Sequence, residues 1–489
     1  MKTTLENKSG YIWFLVIISV IYLVYVILTP TMAMMKYKSI PRQYEISTFD
    51  TKVMNRLNRT NKQFVHSVYI PNYETNRYVL REDVTRVEKR KLRQIFNEIH
   101  FNGKITIGYY FVLLMALYLL RYLIAVFYRE KPVDHSYTPK VSVFIPVKNE
   151  ENWIYETIKL AYNTGYPLDK LEVIIVNDGS TDNTGSEIIR AKKDYPSLVV
   201  EEFATNQGKR VAITRCVEIA TGEFYIMLDS DTFLEKDSII NVVQQFKDER
   251  VAAISGRTDV YNLKDNLLTR IQGFKYYVAY RLFKSFESKF GTVSCCPGCF
   301  SAYRASKIKG VMDEWNNRKF FGYRCVAGED RALTTLLLKN NRICYSDRAR
   351  AKTIVPETLK SFAIQQKRWM RSWFRESLFV SAFMWKKNPI PAASFYVMLV
   401  ISFFAPMTLV REFVFVPMLL SIIPMYYYMA LLIIIVSQST FCIITKKYKY
   451  FFYGLFFTVF YFSFIIWLIP VAVYTVTSGN WGSRGAVFK

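Results

Sequence analysis

Val173-Ile174-Ile175-Val176-Asn177-Asp178-Gly179 is the stretch on which the fold turns. Four consecutive apolar β-branched residues read as a strand buried on both faces, and Asn-Asp-Gly reads as the turn that ends it. Such a strand belongs to a sheet covered by helices on both sides. The same pattern recurs outward from it. Val141–Pro146 is a buried run upstream, and Val199–Phe203 and Phe224–Leu228 follow downstream. Between them Asn152–Thr164, Asp182–Asp194 and Val211–Ala220 read as helices. Alternating strands and helices predict an α/β domain with a mostly parallel sheet, over residues 139–356.

Open α/β sheets build their sites just past the carboxyl ends of strands. Three acidic groups fit that rule. Asp178 follows the quoted strand, Asp229-Ser230-Asp231 follows Phe224–Leu228, and Gly328-Glu329-Asp330-Arg331 lies between Gly-containing and apolar segments. Each has a plain alternative: Asn177-Asp178-Gly179 is a turn signal, and the Asp229/Asp231 pair is also what caps a helix. Asn206-Gln207-Gly208-Lys209-Arg210 lacks the spaced upstream Gly and the following Ser/Thr of a P-loop.

Composition sets this domain beside a membrane. The chain is 51% hydrophobic and 16% aromatic, with 65 Lys+Arg against 40 Asp+Glu and a net charge of +25. Beside membrane spans, that charge fits anionic lipid headgroups and an anionic substrate rather than nucleic acid. Seven Cys and three His, with Cys296-x-x-Cys299 lacking a second pair nearby, do not make a zinc site. Tyr11–Leu28 is long enough to span and reads as an uncleaved helix within residues 1–30. Residues 31–103 are polar and basic and are expected outside the cytoplasm. A second span occupies 104–128 and carries Arg121, a costly residue there unless it faces protein or water. Leu359–Phe383 interleaves Trp and Phe with Arg, the composition of a helix at a membrane interface, within a segment 357–390. Apolar runs then fill 391–476, with a cytoplasmic tail at 477–489. Lys446, Lys447 and Lys449 favour the cytoplasmic side, which requires a break near Pro470 or an extra crossing in Phe413–Thr445 to keep the tail inside.

Together these elements, with Gln365-x-x-Arg368-Trp369 downstream of Asp330, resemble the membrane-integrated processive family 2 glycosyltransferases, namely hyaluronan, chitin and cellulose synthases and the nodulation-type chitooligosaccharide synthases. The resemblance is strong over Val141–Glu376, looser over the C-terminal spans and tail, and weak before residue 100. It implies a GT-A-like cytoplasmic domain in a multi-pass protein of the cell membrane. It also implies that Lys148, Glu150, Asp178 and Lys209 hold the nucleotide of a UDP-sugar, that Asp229 contacts donor or metal, and that Asp231 holds Mg²⁺ or Mn²⁺. Cys296 and Gly298, in the Cys295–Arg304 loop, would lie at the acceptor sugar. Asp330 would be the catalytic base, flanked by Glu329 and Arg331. Gln365, Arg368 and Trp369 would contact acceptor and phosphate, and Trp481 and Arg484 of Trp481-Gly482-Ser483-Arg484 would close over the donor.

The implied reaction is inverting β-glycosyl transfer from UDP-sugars onto a growing polysaccharide that is passed across the membrane. The tail leans toward hyaluronan, from UDP-GlcNAc and UDP-GlcA. The Gly-Glu-Asp-Arg core leans toward chitin-type products from UDP-GlcNAc alone. A transferase placing one sugar on a lipid carrier, and a non-catalytic basic membrane adaptor, are the rivals of other classes.

Overall fold

The computed structural model describes residues 119–130, 132–325, 327–415 and 425–477, with short pieces between 48 and 118 and at 417–418. The first expected span and the tail lie outside the described residues. Within 31–103, β1 (Thr48–Asp50), β2 (Tyr69–Asn72) and β3 (Arg77–Leu80) form a small antiparallel sheet in the order β1-β3-β2.

The main sheet carries β4 (Val141–Val147), β5 (Leu171–Asp178), β6 (Val199–Phe203), β7 (Phe224–Leu228), β8 (Thr232–Leu234), β9 (Val251–Val260) and β10 (Phe300–Arg304). A two-stranded ribbon, β11 (Lys319–Phe320) and β12 (Tyr323–Arg324), stands apart, and β13 (Arg342–Thr353) returns to the main sheet. The order is β6-β5-β4-β7-β10-β9-β13-β8. Four of its seven pairings are parallel. The other three, involving β10 and β8, are antiparallel.

The strands alternate their side chains between two cores, as the pleat requires. Val141, Val143, Ile145 and Val147 face one core with Ile154 and Ile158 of helix α1 (Ile154–Tyr162). Phe144, Ile174 and Val176 face the other. That second core takes Ala212, Ile213 and Cys216 of α3 (Lys209–Ile219), which follows α2 (Thr184–Asp194). Burial on both faces explains why β4 and β5 read as unbroken apolar runs. The remaining helices named below are α4 (Ser238–Val243), α5 (Leu267–Val278), α6 (Ser285–Phe290), α7 (Glu329–Asn340) and α8 (Leu359–Ser381).

Helices α9 (Pro389–Val410), α10 (Met425–Ile444), α11 (Phe451–Ser463) and α12 (Leu468–Tyr474) follow. Among the described residues, two stretches, Pro389–Phe415 and Tyr448–Tyr474, are long and apolar enough to cross a membrane. The second is not one straight helix. It breaks at Phe464 and passes through a 3₁₀ turn at Ile465–Trp467. Pro470 accounts for the break, because it lacks an N–H and its ring opposes the carbonyl four residues earlier. α8 is the helix expected over Leu359–Phe383, and its polar residues Gln365, Gln366, Arg375 and Glu376 are buried.

Candidate active site

Strand register assembles the site. β4, β5 and β7 run parallel, so Lys148, Asp178 and Asp229 emerge at one edge of the sheet. β10 runs against β7 with Phe300 opposite Leu228, which brings the loop before β10 to that same edge. Gly298 therefore lies against Asp229. A Cβ on Gly298 would stand 3.2 Å from Asp229 Oδ1 and 3.1 Å from Lys209 Nζ, so only glycine leaves both undisturbed. Cys296 anchors this loop to α7: its N–H donates to Thr334 Oγ1 at 2.9 Å, and that hydroxyl donates to the Asp330 carbonyl at 2.8 Å. The Cys296 thiol is buried, and burial pushes its pKa well up, so it packs rather than reacts.

Lys209 is the centre of the arrangement. Gly208, at φ 96°, turns the chain into α3 and sets Lys209 at its first position. The Lys209 ammonium contacts Asp229 and stands 3.6 Å from Glu329 Oε1. Burial pulls its pKa down, but Asp229, Glu329 and Asp330 together carry it above the ordinary lysine value. One cation thus holds together carboxylates from two separate elements.

Asp330 sits in the first turn of α7, where backbone N–H groups point outward and favour an anion. Its Oδ1 accepts from the Arg331 N–H at 2.7 Å and its Oδ2 from the Gly298 N–H at 3.2 Å. Burial and the Glu329 charge raise its pKa, opposed by Arg331, by that backbone bond and by Lys209. A buried carboxylate with a raised pKa accepts a proton more readily than an exposed one. Gly328, at φ +80°, precedes it; a Cβ there would lie 2.3 Å from Ser372 Cβ of α8. The chain before Asp330 is thereby pressed against α8, and Arg375 of α8 donates to the Ala327 carbonyl.

The other expected residues divide. Asp178 spends both oxygens on the neighbouring loop, accepting from the Gln207 N–H at 2.7 Å and the Gly208 N–H at 3.0 Å. It fixes the turn that delivers Lys209. Asp231, 1% exposed, lies beyond Asp229 at the start of β8. Lys148 follows β4, and the Glu150 N–H donates to Thr184 Oγ1 at 2.8 Å. Gln365 is buried on α8, and Arg368 and Trp369 are half-buried there. Trp481 and Arg484 lie outside the described residues.

Several contributors were not singled out in the sequence. Asn149 stitches two strand ends, donating from its N–H to Ser180 Oγ at 3.0 Å and accepting the Thr181 N–H at 2.8 Å. Its φ of 52° was foreshadowed only by its being Asn, which tolerates that region. The Trp315 indole N–H donates to the Glu329 carbonyl at 2.8 Å, while the Arg210 guanidinium lies 4.7 Å from its ring. Lys275 of α5 holds the Gln366 side chain and stands 5.0 Å from the Trp369 ring centre.

Mg²⁺ or Mn²⁺ takes carboxylate oxygens and keeps positions for phosphate and water. Asp229 and the buried Asp231 fit that donor set, and the Lys209 ammonium already marks the place as one that holds a cation. Among the described residues no group of three or more metal-ligating side chains is present.

Comparison with known proteins gives the family. The family described as glycosyl transferase family 2 matches residues 142–311. A hyaluronan synthase of Streptococcus pyogenes is 32% identical over 305 residues, covering 61% of this chain and 72% of that protein. The chain belongs to glycosyltransferase family 2. This family 2 glycosyltransferase is also 32% identical over 254 residues to an N-acetylglucosaminyltransferase of Neorhizobium galegae, covering 51% of this chain and 58% of that one. A mannosyltransferase of Pyrobaculum calidifontis, solved with GDP-Man and Mn²⁺, aligns with a TM-score of 0.47 and 19% identity, over 72% of this chain and 95% of that one. The α/β fold, the family and the glycosyltransferase class expected from the sequence all hold.

Proposed function

We propose that this glycosyltransferase is a membrane-embedded synthase that polymerises UDP-sugars by inverting β-transfer and passes the polymer across the membrane, with hyaluronan as its product. The observation that carries the proposal is that Lys209, which lines one pocket with Glu329 and Asp330 at the carboxyl edge of the sheet, also pairs with Asp229. This supports a single site for the proposed donor-side and acceptor-side carboxylates, as one-step transfer requires. Asp330 takes the proton of the acceptor hydroxyl as that oxygen attacks the anomeric carbon and the UDP bond breaks. Asp231, with Asp229, would hold Mg²⁺ or Mn²⁺, which when bound supplies charge to the departing diphosphate. Lys209 leaves its carboxylate contacts to share in holding that diphosphate. Lys148, Glu150 and Asp178 shape the nucleoside end. Trp369, with Gln365 and Arg368, receives the acceptor, an indole being suited to stack on a sugar ring. Trp481 and Arg484 close over the donor.

The two apolar stretches support a cell-membrane location with the catalytic domain in the cytoplasm, where UDP-sugars are. Beside the site lies a cavity of about 410 Å³, lined by Arg331 and Trp369 at one side and by Tyr461 and Ile469 of the second stretch at the other. It supports an exit for the chain being made. The likeness to an N-acetylglucosaminyltransferase and the Gly-Glu-Asp-Arg core favour a second reading, a chitin-type product from UDP-GlcNAc alone. Incorporation of radiolabel from single and paired UDP-sugars, followed by linkage-specific hydrolases, separates them. Polymer formed only from UDP-GlcNAc with UDP-GlcA and cut by hyaluronidase is expected. Polymer from UDP-GlcNAc alone assigns the second reading, and a single sugar added to lipid refutes both.

A further inference from the structure

The cavity beside the site is unevenly charged. Three cations line it, Arg121, Lys275 and Arg331, against two carboxylates, Glu287 and Glu376. Glu376 is already neutralised, with Arg318 at 2.8 Å and Arg375 at 3.2 Å. Glu287 accepts from the Ser294 N–H at 3.0 Å and from its hydroxyl; burial raises its pKa, opposed by those bonds and by the charges of Arg121 and Lys284, so it is matched without Lys275. Arg121 donates to the Ser394 hydroxyl at 2.7 Å and its carbonyl at 3.2 Å, and its charge also acts on Glu287. Among the described residues no carboxylate lies within ion-pair distance of Lys275 or Arg331. The Lys275 ammonium has the Gln366 amide oxygen and, at 5.0 and 5.7 Å, the rings of Trp369 and Phe362.

A cation enclosed without a counter-charge is costly, and a ligand that brings the counter-charge recovers that cost. A ligand of the same shape without it does not, so such a site discriminates strongly. Position decides which ligand this is. Arg331 is the residue after Asp330, so the cavity begins one residue from the group that activates the acceptor. Lys275 then stands over Trp369, on whose indole a sugar ring can lie.

We infer that Lys275, fixed by Gln366 and the Trp369 face, binds the carboxylate of a uronic acid unit in the polymer as it leaves the site, and so selects an anionic alternating chain over a neutral one. Burial pulls the Lys275 pKa down to about 7, the direction expected of an ammonium awaiting its counter-ion. The inference rests on the polymerase reading above and names what that reading leaves open, the residue that tells the two products apart.

The test uses the full chain in lipid nanodiscs. Affinities for a hyaluronan hexasaccharide and a chitin hexasaccharide are measured by tryptophan fluorescence, for the parent, Lys275→Gln and Lys275→Arg. A charge-assisted contact predicts ~10- to 100-fold tighter binding of the hyaluronan oligosaccharide by the parent. Lys275→Gln should erase that preference and Lys275→Arg keep it. Equal affinities in the parent overturn the inference even if a variant fails to fold, and so does a preference that survives Lys275→Gln. The incorporation assay on the same preparation separates the two levels. A parent that polymerises yet binds both oligosaccharides equally leaves the polymerase standing and removes the role of Lys275. A parent that discriminates yet polymerises nothing removes the polymerase and leaves the carboxylate site.

Discussion

Replacing Asp330 by Asn tests the acceptor chemistry with little change of shape. The carboxylate accepts two backbone N–H groups, Arg331 at 2.7 Å and Gly298 at 3.2 Å. An Asn can keep its oxygen on the Arg331 N–H, but its NH₂ then opposes the Gly298 N–H, at a cost of about 1 kcal/mol. Loss of a buried charge beside Glu329 acts in the opposite direction. The fold should therefore hold, with a melting temperature within a few degrees of the parent. The rate should not. General-base loss lowers turnover by about 10²–10⁴, which is about 2.7–5.4 kcal/mol of barrier. UDP release and radiolabelled polymer measure the rate, and calorimetry measures UDP-sugar affinity, expected near the parental value. Parental polymerisation by Asp330→Asn, with Glu329→Gln inactive, would refute the assignment and move the base to Glu329.

Three further outcomes are expected. Chelation should abolish transfer and Mg²⁺ or Mn²⁺ restore it, while Asp231→Asn should weaken metal-dependent UDP-sugar binding in calorimetry; full activity in that variant would remove Asp231 from the metal site. Gly328→Ala forces a left-handed backbone on a residue with a Cβ, about 1–2 kcal/mol, and crowds Ser372, about 1–3 kcal/mol more, so thermal unfolding should show a loss of about 2–5 kcal/mol with activity reduced; an unchanged midpoint would contradict the close approach of α8. Because the Asp330 pKa is raised, the base is ionised only above a pH higher than for an ordinary carboxylate, and turnover should fall as pH drops through that value; Glu329→Gln removes one cause of the rise and should move this acid limb of the pH profile to lower pH.

The α/β core was legible because β4 and β5 are buried on both faces and so carry unbroken apolar runs. The acidic groups at strand ends were legible for the same reason, since a run that stops marks an edge. What joins them was not. That Gly298 lies against Asp229 and Lys209 depends on the antiparallel register of β10 against β7, a pairing set by packing far along the chain. Asp178 was found, but its two bonds to the Gln207 and Gly208 N–H groups depend on how the next loop folds back. Lys275 left no signal, since a lysine on an amphipathic helix ordinarily faces water. Its partner Gln366 adjoins the Gln365 of the recognised motif and was passed over for its neighbour.

Helix α8 touches two things at once. Toward one side it presses on Gly328, two residues before Asp330. Toward the other, Phe362 packs on Phe460 and Phe464, with ring centres 5.6 and 6.5 Å apart, and Arg371 Nε donates to Thr475 Oγ1 at 2.9 Å, at the far end of the second apolar stretch. Were that stretch to cross a membrane as proposed, α8 would link the segment that carries the proposed base to the tilt of the span. Tilt is the coordinate through which a span answers the thickness of the lipid around it. On the proposed placement, the same chain would turn over at different rates in short-chain and long-chain lipids with every residue of the site unchanged.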